Sequence, residues 1–309
     1  MREAICPICS SSATEFLANG IRAPWISELA DAHNSTYCSL LNCSDCNFSW
    51  FTPRMLVNVE DAVYQGYRES RYYEVRHKWE PWYLKSLNNS KKPGTKDASL
   101  AVSMLDSLLE DMPDSDLEKV ADVGGDEGQF FPTRSKERIL VDPSNKPAIE
   151  GVLRTRSITD LPTNTQLVLV CCVLPHVANP KSLLMEIREN CPQARVLITV
   201  ANDHPKLRPF HKKESYRNFL KNCAKNRYVF IMLDLLTGIC RQFNRKIPNF
   251  GIVKQSEHVN YFSLPSLYAL AESLHYGVIK QQEILSGGFG GIRLGELTVI
   301  LEPTSGARS

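Results

Sequence analysis

The chain has 309 residues, 43% of them hydrophobic, and its 36 Lys and Arg against 34 Asp and Glu leave a net charge of +2. That is room for one full α/β domain plus a small module, and near-neutrality excludes a global nucleic-acid footprint. No apolar run reaches the roughly 18 residues of a membrane span, and the opening Met1-Arg-Glu-Ala-Ile-Cys-Pro7 is no signal peptide, so ten cysteines without a disulfide pattern point to a reducing cytoplasm.

Residues 1–58 carry the first motif. Cys6-Pro-Ile-Cys9 and Cys43-Ser-Asp-Cys46 form two CxxC knuckles, which together supply four thiolates for one tetrahedral, structural Zn2+. The residue after each second cysteine needs a left-handed backbone, which Asn47 tolerates well and Ser10 less well. About sixty residues need such a staple to build a core. Cys38 and His33 are spare, either competing ligands or packed residues. From 59 to 117 a connector follows, rich in aromatics (Tyr64, Tyr67, Tyr72, Tyr73, Trp79, Trp82, Tyr83) and expected to be helical in part. Residues 88–95 read as a loop, 100–109 show helical apolar spacing, and Pro113 stops that helix before a strand at Val120.

The core, expected over 118–305, opens with Val120-Ala-Asp-Val-Gly-Gly-Asp-Glu-Gly-Gln-Phe-Phe131 and Ile139-Leu-Val-Asp142. An apolar run ends in an acid and a glycine-dense turn, and a second run ends in another acid. At the carboxyl ends of strands in an open α/β sheet, such a pair suits a nucleoside-bearing cofactor, with Asp142 accepting from ribose hydroxyls or merely capping the next turn. No choice among Gly124, Gly125 and Gly128 gives the G-x-G-x-x-G of a dinucleotide site. The link to Arg138 is short and holds Pro132, so its helix is expected to be stunted. Further on, Gln166–Pro180 reads as a strand and turn ending in His176-Val177, 181–190 as a helix and 194–201 as a strand. A basic insert spans about 202–254: from Lys206 to Arg227 it carries eight Lys or Arg against Glu214 alone. It reads either as a cover for an anionic substrate or as a solvated face. The apolar 229–238 that follows would pack beneath it or form an oligomer contact. Leu297-Thr-Val-Ile-Leu301 reads as the closing strand.

Several of these segments resemble class I S-adenosylmethionine-dependent methyltransferases. Asp122, Gly124 and Gly128 match three of the four fixed positions of that family's first motif; Asp126 replaces its middle glycine, and Gly125 lies one place earlier. The Gln166–Pro180 segment resembles the fourth strand and turn, with Gln166, Cys172 and Pro175 departing from the pattern. Glu257-His-Val-Asn-Tyr-Phe-Ser263 resembles a later Glu-His-x-Asn-Phe-Phe-Ser segment. Tyr37–Arg54 resembles the zinc module that precedes a subset including sugar C-methyltransferases. The resemblance implies a Rossmann-like α/β sheet with helices on both faces, preceded by a small zinc-ribbon-like module, and a cofactor set of Asp122, Gly124, Gly125, Gly128, Asp142 and Cys171. It also implies His258 as base, Glu257 as its orienter or a ligand to sugar hydroxyls, and His176 as a positioning group. A tyrosine of the connector, Tyr72 or Tyr73, would help hold the sugar, and Tyr73 is taken here as that site residue. Either histidine could instead be structural, satisfying a buried carbonyl. The expected acceptor is a saccharide, nucleotide sugar or other small, anionic molecule, methylated on carbon or oxygen. Both atoms stay open because the chain stops at Ser309 without the large C-terminal domain of the sugar C-methyltransferases. Two alternatives remain: an RNA methyltransferase gripping tRNA or rRNA through the zinc module and the basic insert, and a binding protein whose cofactor site has decayed, as Asp126, Pro132, Gln166 and Pro175 suggest.

Overall fold

The computed structural model describes residues 4–31, 37–202, 218–219, 222, 226–242, 252–285 and 295–304. Strands and helices are numbered in chain order. The N-terminal part is an antiparallel meander of β1 (Thr14–Arg22), β2 (Tyr37–Cys43) and β3 (Ser49–Thr52), with α1 (Pro24–Leu29) between the first two strands. Helices α2 (Val57–Gln65), α3 (Ser70–Trp79) and the short α4 (Lys85–Asn88) follow. Next comes α5 (Lys96–Leu108), whose start is fixed by Thr95, its side chain accepting from the Ala98 N–H at 3.3 Å.

The main sheet contains β4 (Lys119–Val123), β5 (Glu137–Val141), β6 (Val152–Thr155), β7 (Leu167–Cys171) and β8 (Arg195–Ala201), all parallel, with α6 (Pro180–Asn190) joining the last two. After α7 (Arg227–Gln242) the chain returns to the N-terminal sheet. There β9 (Ile252–Gln255) pairs parallel with β1, and β10 (Asn260–Tyr261) pairs antiparallel with β3. Helix α8 (Leu264–Glu272) and the hairpin of β11 (Tyr276–Leu285) and β12 (Gly295–Pro303) close the main sheet, β12 lying antiparallel to β8. The resulting orders are β10-β3-β2-β1-β9 and β11-β12-β8-β7-β4-β5-β6.

The second order is doubly wound. The chain builds outward from β4 through β6, then crosses back to β7, so a crevice opens between β4 and β7 at their carboxyl ends. Both faces are covered, as a parallel sheet requires. Val120, Leu167, Leu169 and Leu197 meet Leu105 and Leu108 of α5 on one face. Ala121, Val168, Val196 and Ile198 meet α6 and α8 on the other, through Leu184, Ile187, Leu267 and Leu270. Each fully buried Val, Leu or Ile side chain among these contributes about 1.5–3 kcal/mol. This is the Rossmann-like α/β fold expected from the sequence.

The stunting expected after the glycine turn takes concrete form. Residues 124–136 cross from β4 to β5 in turns with no helix, and Phe131, 4% exposed, packs into the α5-side cluster instead. The N-terminal sheet packs on the α6/α8 face, where Phe48 meets Phe262 with ring centroids 5.0 Å apart. The Ser263 hydroxyl donates to the Asn47 carbonyl at 2.9 Å, tying the second cysteine knuckle to the start of α8. The basic stretch 206–225 lies almost wholly outside the described residues.

Candidate functional site

The two knuckles bring four sulfur atoms together. Cys6, Cys9, Cys43 and Cys46 Sγ all lie within 4.8 Å of one another; Cys6–Cys46 is 3.7 Å and Cys9–Cys43 is 3.5 Å. A tetrahedral zinc with Zn–S bonds of about 2.3 Å needs sulfurs about 3.8 Å apart, so this donor set fits one. Ser10 and Asn47 follow with φ of 61° and 55°, each N–H donating back to the first cysteine carbonyl of its knuckle, at 3.0 and 2.9 Å. Cys38 is buried in a separate cluster with Leu40 and Phe51, and His33 lies outside the described residues.

At the crevice, Gly124 follows β4 with φ +75°, and its N–H donates to Val141, closing the turn against β5. A Cβ on Gly124 would lie 2.7 Å from Val173 Cγ2, and one on Gly125 would lie 2.0 Å from Asp122 Oδ2. Side chains are therefore excluded where the turn passes β7 and its own acid. Gly128 ends the turn, its N–H donating to the Gly125 carbonyl at 3.0 Å. Asp122 is 1% exposed, and burial, then the charge of Asp142, push its pKa up to about 7. Among the described residues, Asp122 Oδ2 finds no hydrogen-bond partner. Asp142 is more committed. Its Oδ1 accepts from the Ser144 N–H at 2.9 Å and from Arg154 at 3.1 Å, and its Oδ2 accepts from the Asp126 N–H at 3.1 Å. It therefore does cap the following turn, and of roughly four lone-pair sites on the carboxylate, three are used. Cys171 ends β7 on the same side; burial, then Asp122, keep its thiol protonated. A cleft of about 310 Å³ lined by Pro93, Gly94, Ala98, Val102, Gln129 and Ile149 flanks the glycine turn without reaching Asp122 or Asp142.

Across from the turn, the segments after β7 and β9 bring the two histidines together. His176 and His258 meet edge to face with ring centroids 4.8 Å apart. Burial, then His258, lower the His176 pKa to about 4, so its ring is neutral near pH 7. Its Nδ1 is buried and, among the described residues, without a hydrogen-bond partner. Glu257 faces the connector helices, where its Oε1 accepts from the Tyr72 hydroxyl and from Arg76. Burial would raise the Glu257 pKa; Arg76, then His176 and the Tyr72 hydroxyl, outweigh it and hold it at about 2. Of the two connector tyrosines, Tyr72 is the one that reaches Glu257, whereas Tyr73 stacks on His77 with ring centroids 5.3 Å apart. A wall of rings completes this side, Tyr64 against His176 at 5.9 Å and Tyr67 against Tyr72 at 5.2 Å.

Three groups here escape the sequence reading. Arg76 lies in a helix that reads as polar, yet it is 9% exposed. It bonds Glu80 at 2.8 Å as well as Glu257, and its guanidinium lies 3.7 Å from the Tyr83 ring centroid. Arg54, just after β3, donates to the Ala178 carbonyl at 2.9 Å, to Val177 at 3.3 Å and to Val259 at 3.4 Å, so one side chain braces both histidine segments. Glu60 of α2 accepts from the Ala178 N–H at 2.9 Å. The Thr-Pro-Arg at 52–54 was a visible signal for Arg54; nothing local marks Arg76 or Glu60.

No protein-family model and no curated protein matches this sequence. Solved structures do align with it. Magnesium protoporphyrin IX methyltransferase from Synechocystis PCC 6803 aligns over 78% of this chain and 98% of its own, at 10% identity and a TM-score of 0.43. A Leishmania major S-adenosylmethionine-dependent methyltransferase aligns over 72% and 85%, at 11% identity and 0.42. The 1,6-didemethyltoxoflavin-N1-methyltransferase of Burkholderia thailandensis aligns over 67% and 78%, at 15% identity and 0.39. No helix among the described residues is long and apolar enough to cross a membrane.

Proposed function

We propose that this chain is an S-adenosylmethionine-dependent methyltransferase acting on a small acceptor, a saccharide or nucleotide sugar being the class that best suits its polar, aromatic-walled site. The observation that carries the reading is a juxtaposition. The glycine turn after β4 touches Val173, three residues before the histidine that pairs with His258, so a nucleoside crevice and a candidate base share one rim of the sheet. The residues fit the cofactor: a turn from which side chains are excluded, a buried acid with an unpartnered oxygen, and a spare lone pair on Asp142. Asp122, Gly124, Gly125, Gly128 and Asp142 would hold it, with Cys171 packed beside them.

When bound, the cofactor supplies an electrophilic methyl group. The chain must align the acceptor and remove its proton where one is lost. His258 takes that proton on a ring nitrogen, since imidazole titrates nearest neutrality. His176, neutral, offers the acceptor a hydrogen bond. Glu257, tied to Arg76 and Tyr72, anchors the backbone that carries His258. The four cysteines hold a structural zinc, and through β3 and Arg54 the zinc module steadies both histidine segments.

Two observations favour a second reading, a binding protein of the same fold. Three of the roughly four lone-pair sites of Asp142 are already taken by Arg154, Ser144 and Asp126, and no helix follows the glycine turn. The RNA-directed alternative rests on the basic stretch, outside the described residues. To separate the three, the zinc-loaded protein is incubated with methyl-labelled cofactor and either nucleotide sugars, free saccharides or bulk tRNA. Label on a sugar acceptor that His258→Gln lowers at least about a hundredfold, the scale of a lost general base, supports the reading. Label on tRNA, falling steeply with salt, would replace it with the RNA alternative. No transfer to any acceptor, with no cofactor bound, would leave the binding protein.

A further inference from the structure

Asp126 stands where the glycine pattern has its middle glycine, and the structure shows how the chain accommodates it. Its φ is +61°, a left-handed conformation that glycine adopts freely and aspartate tolerates. Its N–H is held by Asp142 Oδ2 at 3.1 Å, and its carbonyl accepts from Arg154 at 3.3 Å. Lys146, from the loop after β5, reaches back and donates to Asp126 Oδ1 at 2.5 Å. The two side chains are only 15% and 12% exposed, so solvent screens the pair weakly. The loop is pinned in place by the Ile149 N–H, which donates to Glu127 at 2.9 Å.

We propose that Lys146 is a cofactor-affinity residue. By neutralising Asp126 it lets the glycine turn accept the carboxylate-bearing end of S-adenosylmethionine. This rests on the proposed function. Two opposite-charge pairs then brace the turn, Lys146 with Asp126 and Arg154 with Asp142. Removing Lys146 alone leaves a poorly solvated carboxylate uncompensated, and an incoming carboxylate meets a net negative turn. The acid and the lysine thus form one unit, in which the lysine is needed because the acid is there.

The test is equilibrium dialysis of labelled S-adenosylhomocysteine against the wild-type protein, Lys146→Met, Asp126→Asn, the double variant and the charge-keeping Lys146→Arg. Lys146→Met should weaken binding about tenfold or more, while Asp126→Asn and Lys146→Arg stay within about threefold of wild type. The double variant should return to the level of Asp126→Asn, the coupling expected of groups in contact. Methylthioadenosine, which lacks the amino-acid end, should bind all five proteins alike. Wild-type affinity in Lys146→Met, failure of Asp126→Asn to rescue it, or equal loss of methylthioadenosine binding would overturn the role of Lys146 while leaving the cofactor site standing. A wild-type protein that binds neither ligand would instead remove the proposed function, and this inference with it.

Discussion

Asp122→Asn tests the electrostatics of the crevice without any ligand. Asp122 is 1% exposed, its Oδ2 unpartnered among the described residues, and its pKa is raised from 3.8 to about 7 by burial and then by Asp142. The folded protein therefore keeps a proton that the unfolded chain gives up between about pH 4 and 7. A raised carboxyl pKa contributes stability that is fully present below the unfolded value and is lost as pH rises towards the folded one. Some three pKa units at 1.36 kcal/mol each set a ceiling of about 4 kcal/mol on that loss. About 2–3 kcal/mol of it falls between pH 5 and pH 8. Asparagine keeps the shape and removes the titration. Urea unfolding of both proteins at several pH values in that range should show the variant gaining on wild type as pH rises, by up to about that 2–3 kcal/mol, with most of the change complete by pH 7. A stability difference that stays flat from pH 5 to pH 8 would refute a buried acid with a raised pKa.

Other parts of the structure make equally definite demands. Arg76→Met should leave the buried Glu257 poorly compensated, while Glu80 keeps its ion pair with Lys254 at 3.0 Å, and should cost about 3–5 kcal/mol in denaturant unfolding; a loss below about 1 kcal/mol would mean that Arg76 is not the hub of that network. Tyr72→Phe should slow methyl transfer, by at least about tenfold if loss of the hydroxyl lets the Glu257–His258 segment drift, whereas Tyr73→Phe should leave the rate near wild type. The reverse ranking would restore Tyr73 to the site. Cys43→Ser should release zinc, measured by atomic absorption, and destabilise the N-terminal sheet; full zinc content in that variant would contradict the four-cysteine set.

What could be read from the sequence, and what could not, divides along physical lines. Strands β4, β7 and β8 sit in the middle of a sheet covered on both faces, so Leu167–Cys171 is a continuous apolar run, and Val120–Val123 and Val196–Val200 are each broken by one polar residue only, Asp122 and Thr199. The glycine turn was legible for the same reason that it works: residues without a Cβ cluster where backbone and side chains crowd. The N-terminal sheet was not. Strand β1 buries Asn19 and Arg22, which disguise it, and its partner β9 arrives from more than 200 residues downstream, a pairing that no local pattern announces. The polar network was half legible. Glu257 and His258 stood out as a motif, but Arg76 sits in a helix of charged and aromatic residues whose buried face shows no apolar stripe. Which of Tyr72 and Tyr73 reaches Glu257 turns on a single step of about 100° around that helix, finer than a resemblance between families can fix.

The central claim, that the turn after β4 and the acid after β5 form an S-adenosylmethionine site, is tested most directly by calorimetric titration. Zinc-loaded wild-type protein and Asp142→Ala are titrated with S-adenosylmethionine and S-adenosylhomocysteine, with NAD as control. Micromolar binding of either adenosyl ligand to wild type, none to the folded Asp142→Ala variant and none of NAD to either protein is the predicted result. Folded wild-type protein that takes up neither adenosyl ligand, or Asp142→Ala protein that binds them as wild type does, would contradict it.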